Sequence, residues 1–141
     1  MSNVAYQIIG ALGKYAFIND GQAALLRGDV EESIPLRRAC IERGYTTPET
    51  YATVLSFLTH IPIIDLRQAS IDQYVRKLVP KETAMKYGVV PMYTENQTLV
   101  VVMGDPTNME ALEESRLVTG LRVEPRIALN DTEPYVRQLY G

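Results

Sequence analysis

Val89-Val90-Pro91-Met92-Tyr93-Thr94-Glu95-Asn96-Gln97-Thr98-Leu99-Val100-Val101-Val102-Met103-Gly104-Asp105-Pro106 contains two apolar runs separated by a short polar interval. β-Branched and aromatic residues dominate both runs and Asn96 is a turn former. The stretch therefore predicts an antiparallel hairpin of Val89–Tyr93 with Thr98–Met103. Gly104-Asp105-Pro106 then ends the second strand: Asp105 caps or turns, Pro106 cannot continue the ladder, and Thr107 with Glu110 forms a capping box that opens a helix. Gly120 closes that helix. Val123, Pro125, Ile127 and Leu129 then alternate with Glu124, Arg126 and Ala128, as in a half-buried strand at a sheet edge. Asn130 and Glu133 start a final helix that packs Val136 and Leu139, which completes a ββαβα order.

Upstream, the pattern is helical. An apolar segment runs from Val4 to Ile18, and a short Asp20–Arg27 helix is expected to end at Gly28. Ser33 is placed as the cap of a helix of roughly ten residues with Leu36, Ala39 and Cys40 on its core side and Gly44 at its left-handed end. Thr47 caps the next helix, Pro48 suits its first turn, and Tyr51, Val54, Leu55 and Leu58 recur at i, i+3, i+4 and i+7. Ile61–Leu66 reads as extended. Beyond it, Ser70 and Gln73 predict a capping box before a helix with Ile71, Tyr74, Val75 and Leu78 on one face, and Pro80 opens a short helix that Gly88 closes. The expected fold is α+β: a helical subdomain, 1–66, packed on a small α+β subdomain, 67–141, whose ββαβα module has a short, mainly antiparallel sheet.

At 141 residues and 46% hydrophobic content the chain can bury a core without staples. Its net charge of -3, with Lys and Arg scattered, lacks the clustered cations that phosphate backbones require, so nucleic acid is not an expected partner. The single cysteine, Cys40, excludes an internal disulfide and a thiolate metal cluster, and points to a reducing, cytoplasmic compartment. Apolar runs such as Leu99–Met103 are far shorter than the roughly 20 residues of a membrane span, and no secretion signal opens the chain.

Several phrases in order carry a family resemblance: His60-Ile61-Pro62-Ile63-Ile64-Asp65-Leu66, Leu78-Val79-Pro80-Lys81-Glu82, Tyr87 to Met92, Leu99 to Pro106, Leu117-Val118-Thr119-Gly120-Leu121-Arg122-Val123-Glu124-Pro125 and the closing Tyr140-Gly141. In combination they resemble the N-terminal domain of type II secretion and type IV pilus assembly ATPases, the group that includes the MshEN domains. The resemblance implies a non-catalytic docking domain that tethers a hexameric motor to the cytoplasmic domain of an inner-membrane platform protein. Such a domain is cytoplasmic and peripheral to the membrane through its partner. The family chain continues through a linker into its own ATPase motor domain, so the expectation is a motor fragment, with a stand-alone regulator as the rival.

Residue chemistry agrees with a binding module. No glycine-rich phosphate loop is present in the sequence, and Gly13-Lys14 lacks both the upstream glycine spacing and a following Ser or Thr. The only histidine, His60, is read as structural or surface, and Cys40 as a small core hydrophobe. No catalytic residue, metal site or cofactor is expected. Arg37, Arg38 and Arg43 cluster near Gly44 as a candidate partner-binding patch. MshEN members bind cyclic-di-GMP through two tandem motifs built on Arg-Leu-Gly, a later Gly, spaced aliphatics and a closing Gln. Aligned on Gly44, this chain keeps Leu36, Ile41, Gly44 and Leu55. It has Pro35 for the arginine, Arg37 for the first glycine and Leu58 for the glutamine. At the first motif Leu12-Gly13 follows Ala11 instead of arginine. Leu36, Arg37, Ile41, Gly44 and Leu55 would line the ligand in that alternative, although arginine is the group that stacks on guanine and pairs with phosphate.

Overall fold

The computed structural model describes residues 3–141. Two compact units divide the chain, 1–60 and 61–141. The division falls before the expected 66/67 boundary because the extended segment after His60 joins the sheet of the second unit.

The first unit consists of α1 (Asn3–Lys14), α2 (Asp20–Glu31), α3 (Leu36–Glu42) and α4 (Pro48–Thr59). α1 packs on α2 and α4, and α3 packs on α2 and α4, so the four helices form a closed ring of contacts. Ile9, Leu12, Leu26, Tyr51 and Leu55 are fully buried, each aliphatic side chain contributing about 1.5–3 kcal/mol relative to exposure. Thr47 accepts the Thr50 amide at 3.1 Å and caps α4 as expected. α2 carries a capping box that the residue pattern did not suggest: Asn19 accepts from the Gln22 amide at 2.8 Å, and the Gln22 side chain accepts from the Asn19 amide at 2.9 Å.

Two expectations for this unit fail for one reason. α2 does not stop at Gly28 but continues through it to Glu31, and Ser33 ends α2 instead of capping α3. Ser33 adopts φ 65°, its amide bonds the Val30 carbonyl, and the Ile34 amide reaches back to Asp29 at 2.9 Å. That is a Schellman ending with serine in the place usually held by glycine. α1 ends the same way at Ala16 (φ 65°) and α3 at Gly44 (φ 75°). A glycine inside a helix costs about 1 kcal/mol relative to alanine but does not terminate it.

In the second unit, β1 (Ile63–Ile64) precedes a 3-10 turn (Gln73–Lys77), α5 (Lys81–Tyr87), β2 (Val89–Glu95), β3 (Thr98–Met103), α6 (Met109–Thr119), β4 (Arg122–Ala128) and α7 (Glu133–Tyr140). The sheet order is β1-β4-β3-β2. β2 and β3 form the expected hairpin, closed by Asn96 and Gln97, both at positive φ. The ββαβα order holds, and the fold is α+β. The sheet, however, is mixed, not mainly antiparallel: β3 pairs with β4, and β4 with β1, in parallel. α6 is the crossover that makes β4 parallel to β3.

β4 is thus an interior strand, not the edge strand that its half-buried alternation predicts. Ile127 and Leu129 donate to Pro62 and Ile64 on the β1 side, so alternation turns the position of Pro125 to that side too. β1 begins opposite Ile127, and no ladder bond is lost at Pro125. The segment after Ser70 forms only a 3-10 turn with Asp72 as its N-cap; Val75 is buried while Tyr74 is exposed. Asn108, not Thr107, caps α6 by accepting the Ala111 amide at 3.2 Å. Asn130 does not start α7; its side chain accepts the Leu66 amide at 2.7 Å.

α2 is tied to the end of α3 by Arg43, which donates from Nε and a terminal nitrogen to the two oxygens of Asp29 at 2.8 and 3.0 Å. This bidentate contact holds the Asp29 carboxyl below its ordinary value of 3.8 and pushes Arg43 up. A carboxylate lowered in the fold contributes stability that is complete above its unfolded pKa and is lost as pH falls through the folded one. Asp29→Asn is therefore expected to lower the thermal midpoint more at pH 7 than at pH 2; equal shifts at both would contradict the pair's role. A second outcome concerns Gly88, the left-handed end of α5 at φ 64°, where an added Cβ would lie 2.8 Å from Thr132 Oγ1. Gly88→Ala should cost about 1–3 kcal/mol in urea denaturation, and adding Thr132→Ala should recover only the steric share.

Candidate functional site

The three arginines singled out in the sequence lie on and just after α3, whose apolar side buries Leu36, Ala39 and Cys40. Consecutive helical residues diverge by about 100°, so Arg37 and Arg38 do not share a direction. Arg37 is half-buried. Arg38 is exposed and faces Glu42 at 3.5 Å, an i,i+4 pair on the surface and of little energetic weight. Arg43 caps the helix and spends its guanidinium on Asp29, whose side chain is only 12% exposed. The structure therefore does not assemble a three-arginine patch. One cation is an internal tie and another is already compensated.

The positions kept from the cyclic-di-GMP motif all have packing roles. Leu36 and Leu55 are buried, Ile41 is half-buried, and Gly44 supplies the positive φ that ends α3. Pro35, in the arginine's place, is the N-cap of α3, with no side chain to reach a phosphate. Leu58, in the glutamine's place, is an exposed apolar residue at the end of α4.

Other candidates settle into structural positions. Cys40 is buried, and desolvation, with the nearby Asp29 charge adding to it, pushes its thiol up to about 12. It is a protonated core residue at neutral pH. His60 ends α4 in a left-handed conformation, its amide bonded to the Ser56 carbonyl at 2.8 Å. Asp105 accepts from the Thr107 amide at 3.0 Å and from the Thr107 hydroxyl, a local turn between strand and helix. Among the described residues no group of three His, Cys, Asp or Glu side chains could hold a metal ion, and no helix is long and apolar enough to cross a membrane.

What the sequence pattern did not single out is an aromatic patch on the helical unit. Tyr15 and Phe17 follow the end of α1, and Phe57 projects from the last turn of α4, together lining a shallow cleft with Thr53 and Val54. Tyr15, Phe17 and Phe57 are 49%, 43% and 64% exposed, while Tyr15 and Phe57 meet edge-to-face at 6.0 Å. The Lys14 ammonium lies 5.6 Å from the Tyr15 ring centre, within cation–π range. The available signal was Phe57 itself, an aromatic off the Tyr51-Val54-Leu55 face of its helix.

Comparison with known proteins places this geometry in a family. The sequence profile of the MshEN domain matches residues 59–141. The chain is 32% identical over 90 residues to the type IV pilus assembly ATPase PilB of Myxococcus xanthus, a match covering 64% of this chain and 16% of that protein. It is 30% identical over 82 residues to PilB of Thermus thermophilus, covering 58% of this chain and 9% of that protein. The chain thus corresponds to a minor part of these curated relatives. Among solved structures, the N-terminal domain of XpsE superposes with a TM-score of 0.79 at 19% identity, covering 100% of both chains. MshE with cdg superposes with a TM-score of 0.78 at 19% identity, covering 94% of this chain and 98% of that one. At that identity the two likenesses establish the fold. A profile match over more than half the chain establishes the family: the chain belongs to the MshEN domain family, and its sequence relatives are type IV pilus assembly ATPases.

Proposed function

We propose that the domain is a non-catalytic docking module that tethers a secretion or pilus assembly ATPase to the cytoplasmic domain of an inner-membrane platform protein. In this reading it acts at the cytoplasmic side of the membrane through that partner and in series with its own motor domain. The observation that carries the proposal is the exposed Tyr15–Phe17–Phe57 patch. Clustered exposed aromatics mark interaction sites, and aromatic anchors supply a large share of interface energy. Arg37 and Arg38 remain candidate rim contacts; Arg43, held by Asp29, is better explained as a helix tie. A modest interface per domain suffices, because several copies on one motor raise the effective concentration.

Cyclic-di-GMP binding is the second reading, favoured by the likeness to MshE with cdg. The exchange of the motif arginine for Pro35 and of the glutamine for Leu58 weighs against it, since neither side chain can pair with phosphate or a base edge.

Two measurements separate the readings. Retention of this chain by an immobilised platform cytoplasmic domain should fall at least about tenfold in Phe57→Glu and Tyr15→Ala and less in Arg38→Glu; undiminished retention of the aromatic variants removes the patch from the interface. Titration calorimetry with cyclic-di-GMP should show no binding tighter than about 10 μM, roughly 7 kcal/mol; tighter binding would reverse the ranking.

A further inference from the structure

In the β1-β4-β3-β2 order one edge of the sheet is the two-residue β1, and the other is β2, a strand of seven residues. An edge of that length presents unpaired N–H and C=O groups and is a template for strand addition by another chain. Two outer backbone groups of β2 are nevertheless occupied, and a third position has no donor to offer. Pro91 has no N–H to offer. The Met92 carbonyl accepts the Asp72 amide at 2.8 Å. The Thr94 amide donates to the Tyr74 hydroxyl at 3.0 Å, and the same hydroxyl is hydrogen-bonded to the Thr94 hydroxyl. A register shift between Pro91 and Tyr93 adds a bulge, which bends the strand away from a flat template.

Tyr74 is unusual among these devices. It projects from the 3-10 turn Gln73–Lys77, and its side chain is 44% exposed, whereas its neighbour Val75 is fully buried. The ring therefore adds little to the core, and its hydroxyl is bonded to the strand edge. We infer that Tyr74 is an edge guard, a side chain that occupies the Thr94 amide and so prevents β2 from pairing with β2 of a second copy of this chain. Without it the edge regains an amide donor beside the free end of the hairpin. On the hairpin side of the bulge, where Pro91 and the Asp72 amide leave the edge uncovered, the Thr94 stretches of two copies could then pair antiparallel, the arrangement a two-fold axis produces.

Sedimentation equilibrium on the wild-type chain, Tyr74→Ala and Tyr74→Phe tests this inference, because Tyr74→Phe keeps the ring and removes only the hydroxyl. The wild type should stay at its 15.8 kDa monomer mass, while both variants should rise toward twice that mass with concentration. Thr94→Pro, which deletes the exposed donor at an edge position where proline is tolerated, should return each variant to the monomer mass. Four results would each overturn the inference: folded variants that stay monomeric, association that persists with Thr94→Pro, a wild type that associates as strongly as the variants, or loss of fold in Tyr74→Phe.

Discussion

The second unit depends on the burial of β3. Leu99 to Met103 are all buried, so every backbone group there needs a partner in the sheet and every side chain needs cover on its face. A tight hairpin satisfies one edge with β2. The other edge can be satisfied only by a strand that arrives from farther along the chain, and the α6 crossover delivers β4 in parallel register. Once β4 is interior it needs a neighbour of its own, which two residues of β1 provide where Ile127 and Leu129 donate. α5 and α7 pack on β2 and α6 on β4, and cover the apolar surface that such a sheet creates.

In the first unit the corresponding constraint is how the helices end. Four helices enclose Leu12, Leu26, Tyr51 and Leu55 only if the chain reverses within a few residues after each of the first three. Left-handed residues at Ala16, Ser33 and Gly44 produce these reversals, and His60 ends α4 in the same conformation. Three of the four are not glycine, so each carries local strain that burial of the helix faces offsets. Arg43 and Asp29 add a directional contact that sets how α3 sits against α2.

These requirements bear on function. The residues shared with the ligand motif of the family are those that shape a helix and its ending, namely Leu36, Ile41, Gly44 and Leu55, whereas the motif's ligand-reaching positions are proline and leucine here. Packing and ligand contact are separate demands on a helix, since burial and backbone conformation restrain different positions from those that would touch a ligand. The side chains of Tyr15, Phe17 and Phe57 lie outside the core of the same unit and remain exposed, which is why the proposed docking surface is centred on them.

Much of this was determined by the sequence alone. The β2–β3 hairpin, the caps at Thr47 and Gly88, the buried Tyr51-Val54-Leu55 face of α4 (Leu58, expected on it, is exposed), the buried face of α7 and the ββαβα order all arise from contacts between near neighbours, where spacing and turn chemistry act directly. Tertiary structure decided the rest. Whether Pro125 lies at an edge depends on how far β1 extends, and whether Ser33 caps or terminates depends on the packing of α2. Whether three arginines form a patch depends on Asp29, fourteen residues away from Arg43. The aromatic patch and the Tyr74–Thr94 edge contact join residues far apart in the chain, and no local period records which distant side chains a fold brings together.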